Sequence, residues 1–135
     1  MIKIQYIVAC LLILITGCDK SDEPIDNLKL EGNYSGTFKR LNIETGWCCC
    51  ADVNLVIIDS AFYGTSGEHY FPAICSGNIS YDANKIHFEN KCFWPAYFDW
   101  SLILNEIWNY NLYGEQLTIW KERGNIEDEY LLYKN

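Results

Sequence analysis

Cysteine is the residue type with the most chemistry to offer in this chain. Seven occur among 135 residues, at positions 10, 18, 48, 49, 50, 75 and 92. The run Cys48-Cys49-Cys50 is the least ordinary feature. On a β-strand, Cys48 and Cys50 would face one side and Cys49 the other. Thiolates this close are able to hold a soft ion such as Cu(I) or Zn²⁺, or to take part in redox chemistry. No histidine lies nearby, and the paired Cys-x-x-Cys and His-x-x-x-His spacings of zinc sites are missing. The expectation is therefore no metal and no cofactor, with Cys48, Cys49 and Cys50 as the alternative metal ligands. A plainer reading makes two of them partly buried small residues while the third bridges elsewhere.

The other candidates for chemistry are sparse. His69 and His87 are isolated from each other and from any serine elbow, and Ser60, Ser66 and Ser101 lack the Gly-x-Ser-x-Gly context. Asp99 and Glu106 are the one carboxylate pair worth weighing for glycoside hydrolysis. Glu127-Asp128-Glu129 reads as the solvated start of a strand. Nucleophile, base and orienting group cannot be named together, so no catalytic residue and no enzyme activity is expected.

The first residues carry an address. Met1-Ile2-Lys3-Ile4 supplies one positive charge, and Ile7 to Ile15 is an unbroken apolar run. That run is too short to span a membrane, which takes about 20 apolar residues, but it suits the core of an export signal. It leads into Ile15-Thr16-Gly17-Cys18, which resembles the bacterial lipobox. The resemblance implies a signal helix over 1–17, cleavage before Cys18 and acylation of that cysteine. Two or more acyl chains give a stable membrane anchor where one does not. Residues 18–27 then form an acidic, flexible tether. An acid-rich stretch after the lipidated cysteine resembles the surface-export signals of Bacteroidota lipoproteins. Asp19 directly after Cys18 instead resembles an enterobacterial inner-membrane retention signal. The expected location is the cell envelope, at the outer membrane or cell surface, with the periplasmic face of the inner membrane as the alternative.

Loss of residues 1–17, with their single lysine, changes the formal net charge from −8 to −9. A phosphate-binding groove needs clustered Lys and Arg, so nucleic acid is excluded as a partner. Aromatic residues make up 16% of the chain and Pro only three positions, a balance that favours strands. Period-two alternation predicts strands over 33–40, 51–59, 61–65, 76–81, 85–89, 107–113, 116–121 and 127–133, with a further bent strand over 96–105. Gly114-Glu115 predicts a two-residue hairpin turn of the II′ kind. The hairpin around Asp82-Ala83-Asn84 would bring its outer ends together and so pair Cys75 with Cys92 in a disulfide. Cys10 leaves with the signal and Cys18 takes lipid, so five cysteines remain. Five is odd, and at least one thiol must stay free, be capped or pair between molecules. Short strands joined by short turns predict an all-β fold over 28–135: an antiparallel up-and-down barrel of about eight strands, in which closure removes the exposed edges.

Leu30-x-Gly32-x-Tyr34, ahead of the first strand, resembles the Leu-x-Gly-x-Trp opening of lipocalin-like barrels. The closing stretch from Trp108 through Gly114-Glu115-Gln116-Leu117-Thr118-Ile119 is similar to the last strands of that class. The whole is similar to small lipocalin-like lipoproteins of Bacteroidota. Arg123 is a candidate for the arginine of the third lipocalin signature, while the Thr-Asp-Tyr of the second is absent. The resemblance implies a small apolar or aromatic ligand held in the barrel, with Trp100, Trp108 and Tyr110 as its expected lining. The alternative is a filled barrel that acts as a surface interaction or inhibitor module through the aromatic segment Phe93-Trp94-Pro95-Ala96-Tyr97-Phe98.

The address makes one direct prediction. Cys18→Ser should move the protein from the membrane fraction to the soluble fraction, read by fractionation and immunoblotting. A processed Cys18→Ser chain that stays with the membrane contradicts lipidation.

Overall fold

The computed structural model describes residues 30–135. The expected signal over 1–17, the acylated Cys18 and the tether over 18–27 lie outside the described residues. The described chain forms eight antiparallel strands in sequence order, closed into a barrel: β1 Gly32–Asn42, β2 Cys48–Ile58, β3 Ala61–Ser66, β4 Ser76–Tyr81, β5 Lys85–Asn90, β6 Glu106–Tyr113, β7 Gln116–Arg123 and β8 Ile126–Lys134. This is the up-and-down barrel that the alternation predicts. Closure is made by β1, which pairs with β2 on one side and β8 on the other.

Alternation decides which side chains fill the barrel. Tyr34 and Phe38 from β1, Val53, Leu55 and Ile57 from β2, and Tyr130 and Leu132 from β8 are all buried, and their neighbours in sequence face outwards. The aromatic members interlock in tilted or edge-on contacts, with Phe38–Tyr130 ring centroids 4.8 Å apart and Trp108–Tyr130 5.5 Å. Gly36 occupies an inward position that no side chain could take. A Cβ there would lie 2.0 Å from the Leu131 carbonyl oxygen on β8, so the closing strands approach each other only across a glycine. Gly114 has φ +60°, the sign that the first residue of a II′ turn requires, and it joins β6 to β7 as predicted.

The two ends of the barrel differ. At one end the β2–β3, β4–β5 and β6–β7 connections are short, and Leu30 plugs the floor while Tyr34 Oη donates to its carbonyl oxygen at 2.9 Å. Burial pushes the Tyr34 phenol up to about 12. The Leu30-x-Gly32-x-Tyr34 motif thus serves as the closed end. At the other end, the long connections 67–75 and 91–105 form a mouth.

One predicted element is corrected here. Residues 96–105 do not form a strand; they belong to a loop that contains a single 3₁₀ turn, Trp100–Leu102. Pro95 opens the stretch, and the Asp99 side chain accepts from the Ser101 N–H, so local capping replaces ladder bonds. On the outer face of β2, Ile58 is exposed.

The two mouth loops are tied together. Cys75, just before β4, and Cys92, just after β5, form the expected disulfide with Cα atoms 6.3 Å apart and a sequence separation of 17. By the chain-entropy relation, closing a loop of this size contributes about 3 kcal/mol. Replacing both by serine should lower the urea-unfolding free energy by that amount with the barrel's circular dichroism unchanged. An unchanged midpoint contradicts the assignment.

Candidate functional site

The mouth holds a cluster of charges that the strand pattern turns inwards. On β1, Arg40 continues the inward row of Tyr34, Gly36 and Phe38. On β8, Asp128 continues the row of Leu132 and Tyr130, and it lies directly opposite Arg40 in the β1–β8 register. Asp128 is 0% exposed and Arg40 6%. Arg40 grips the carboxylate with two bonds, Nε to Oδ1 at 2.6 Å and Nη2 to Oδ2 at 2.7 Å. Arg123, the last residue of β7, adds Nη1 to Oδ2 at 2.6 Å. A buried carboxylate is tolerable only with such partners.

Arg40 also reaches out of the barrel. Its Nη1 donates to Asp99 Oδ2 at 2.8 Å, and its Nη2 donates to Ser101 Oγ at 3.1 Å. One side chain therefore connects the barrel wall to the 3₁₀ turn of the long loop. Burial alone would push the Arg40 guanidinium down, but hydrogen bonding and charge from Asp128, then from Asp99, reverse this and raise it. For Asp99, burial pushes the carboxyl up, and the Ser101 bonds with the Arg40 charge outweigh it, holding the group below its ordinary value. A carboxyl lowered on folding stabilises the fold above its unfolded value of about 3.9 and loses that contribution as the pH falls. The tie between loop and wall is thus firm at neutral pH and loosens in acid.

Next to this cluster lies a cavity of about 480 Å³, lined by Trp47, Phe71, Leu102 and Ile126 on its apolar side and by Arg40, Asn42, Asp99, Ser101 and Arg123 on its polar side. Its volume falls in the range of small-molecule sites, about 300–1,000 Å³. The two arginines differ in what they leave free. Arg40 donates to Asp128, Asp99 and Ser101. Arg123 donates to Asp128 alone among the described residues, through one nitrogen, and its guanidinium sits 5.3 Å from the Trp108 ring centroid, which fixes its position. Arg123 therefore presents unengaged N–H groups to a largely apolar cavity.

The three expected lining residues stand elsewhere. Trp108 and Tyr110 are 2% and 9% exposed and belong to the packed core, where Trp108 Nε1 donates to the Asn105 carbonyl oxygen at 2.8 Å. Trp100 is 57% exposed on the 3₁₀ turn, and its Nε1 donates to the Pro95 carbonyl oxygen. The structure does not bring the three together, because the strand that was to carry Trp100 inwards is a loop. None of them lines the mouth cavity.

Sequence reasoning missed Arg40 and Asp128. Asp128 is not part of a solvated strand start, as its neighbours in sequence suggested. The signal was available in the phase: Arg40 follows buried Phe38 by two residues and Asp128 precedes buried Tyr130 by two, each on the same face of its strand. Asp99 and Glu106, weighed as a carboxylate pair, are each engaged with a separate cation, Glu106 with Lys121 at 2.6 Å. His69 and His87 are both exposed. No group of three or more His, Cys, Asp or Glu among the described residues is placed to hold a metal ion, and Cys48, Cys49 and Cys50 are exposed and unbridged.

The aromatic segment of the β5–β6 loop is divided. Trp94 and Phe98 pack on Tyr70 of the opposite loop, Phe98 stacking at 4.5 Å, while Phe93 points into solvent and the largely exposed Tyr97 brings its hydroxyl to that of Tyr70 at 3.4 Å. Tyr70 holds φ +57°, a strained conformation for a bulky residue.

No family model matches the chain, and no curated protein or solved structure matches it either.

The charge cluster makes a stability prediction. Asp128→Ala leaves two guanidinium groups at the seam without their shared carboxylate. Breaking a buried pair in this way costs about 3–5 kcal/mol, and chemical unfolding should show a loss of that size. A loss within the surface range of about 0.5 kcal/mol contradicts the burial of the pair.

Proposed function

We propose that the protein is a membrane-anchored lipoprotein, held through acylated Cys18 at the cell envelope, whose lipocalin-like barrel binds a small apolar or aromatic ligand at its mouth. In this reading the ligand lies between Trp47, Phe71, Leu102 and Ile126 and carries an acidic group that meets Arg123. The outer membrane or cell surface is the favoured location, with the periplasmic face of the inner membrane as the alternative. The observation that carries the reading is the mouth cavity itself: apolar walls beside a positioned arginine with unengaged donors. A wholly apolar ligand would strip water from Arg123 and return nothing to it. An anionic oxygen restores a charge-assisted hydrogen bond, worth about 1.5–3 kcal/mol.

A second reading is favoured by the mouth loops. Trp47, Phe93, Tyr97 and Trp100 are all exposed on loops at that end. Such a rim suits a protein partner, which would make the barrel a surface interaction or inhibitor module.

One titration separates the two. An anilinonaphthalene sulfonate dye has an aromatic body and one anionic group. If the cavity is the site, the dye should bind and quench tryptophan emission, Arg123→Gln should weaken binding about tenfold or more, and Trp47→Ala should remove part of the quenching. Dye binding that is indifferent to Arg123→Gln and Trp47→Ala, or no binding at all, moves the reading to the rim.

A further inference from the structure

The three adjacent thiols have no role in the mouth cavity, and their place in the barrel is unusual. Strand β2 pairs with β1 along its length, from Leu41↔Cys48 onwards. On its other side, pairing with β3 begins only at Val53↔Ser66. The last bond on that side comes from the Gly67 N–H to the Asp52 carbonyl oxygen, at 2.8 Å. Residues Cys48 to Ala51 therefore overhang β3 and form a short exposed edge. In an antiparallel ladder, alternate residues turn their backbone groups to the same neighbour. Since Asp52 turns to the β3 side, so do Cys50 and Cys48. Their N–H and C=O groups make no backbone hydrogen bond on that side among the described residues, and the residues are exposed, while Cys49 turns its own groups to β1.

The thiols of this run cannot bridge one another. Cys48 and Cys50 share a face but stand about 6.6 Å apart along the strand, whereas bridged Cβ atoms need about 3.5–4.5 Å. Cys49 points to the opposite face. The fourth and fifth described cysteines already pair as Cys75–Cys92, and such a bridge belongs to an oxidising compartment, where exposed thiols do not persist. What these thiols need is a thiol from outside the chain, and what the edge needs is a strand.

We propose that a second copy of this chain supplies both, through antiparallel pairing of the two overhangs about a two-fold axis at Cys49. The run Cys48-Cys49-Cys50 is its own complement: an antiparallel copy sets Cys48 against the partner's Cys50 and Cys49 against the partner's Cys49. The open backbone groups of Cys48 and Cys50 make these the hydrogen-bonded pairs. Cys49 then falls at the non-hydrogen-bonded position on the axis, where opposed Cα atoms are about 4.5 Å apart. That spacing accepts a disulfide. A symmetric interface of this type is the usual form of a dimer, and edge pairing of this kind is what exposed strands favour. The bond forms by exchange with a small-molecule disulfide. One Cys49 thiolate attacks it and releases a small thiol, and the partner's Cys49 displaces the second small thiol. Two cysteine thiols and one small disulfide thus become one protein disulfide and two small thiols.

The test uses the purified mature domain, mixed from equal parts natural-abundance and ¹⁵N-labelled chains, in a glutathione buffer rich in the oxidised form. A covalent dimer containing one chain of each label should appear on a non-reducing gel and by intact mass. The double variant Cys48→Ser/Cys50→Ser, with Cys49 as its one thiol outside the Cys75–Cys92 bridge, should form the same dimer. Cys49→Ser should stay monomeric. A wild-type chain that remains a monomer with glutathione on its thiols overturns the proposal, as does Cys49→Ser cross-linking as well as wild type.

Discussion

The seam between β1 and β8 is the contact on which the rest of the molecule depends. An up-and-down meander has two free edges, and only the pairing of its first strand with its last removes them. Three opposed pairs along this seam mark successive layers of the barrel: Gly36 with Leu132, Phe38 with Tyr130, and Arg40 with Asp128. The first pair lets the backbones meet because Gly36 has no side chain. The second joins the two strands through aromatic rings in tilted contact. The third closes the top with a buried, doubly hydrogen-bonded ion pair. A slip of β8 by one residue would turn Leu132, Tyr130 and Asp128 to solvent and set the neighbouring acids Glu127 and Glu129 inwards.

Such an ion pair is a poor source of net stability, since removing both charges from water costs about as much as their attraction returns. Its value lies in specificity. Arg40 satisfies Asp128 only in this register, and the rest of its guanidinium holds Asp99 and Ser101 of the long loop. The same side chain therefore sets strand register, loop position and the polar wall of the mouth cavity. The Cys75–Cys92 bridge acts on that loop from its other end. Fixed at both points, the loop keeps the cavity open beside Arg123. Beneath it, the Tyr130 hydroxyl is buried without a hydrogen-bond partner among the described residues. Burial pushes that phenol well above its ordinary value, so it stays neutral under the charges.

Much of this architecture was readable beforehand. Alternation of Val53, Leu55 and Ile57, or of Leu117 and Ile119, needs only the two-residue period of a strand to reveal its buried face. Gly114-Glu115 names its own turn because few residues tolerate that φ. Cys75 and Cys92 were pairable because a hairpin brings its outer ends together whatever surrounds it. The segment from Phe93 to Asn105 misled for the opposite reason. Its aromatics look like strand residues, yet Trp94 and Phe98 pack on Tyr70 while Asp99 and Ser101 bind Arg40, partners contributed by distant parts of the chain.

The boundary between the two kinds of knowledge follows from range. The amino-acid sequence by itself determined strand positions, turns, the barrel class and the disulfide, because each rests on local geometry or on a single hairpin. It did not determine the site. Arg40 and Asp128 are 88 residues apart, and each alone resembles a charge at a strand end, free to face water. Only closure of the barrel sets them opposite one another and buries both. Trp100, Trp108 and Tyr110 show the converse. Their type suggested one pocket, and the tertiary structure sent two to the core and one to the surface, because burial depends on what the rest of the chain packs against each ring.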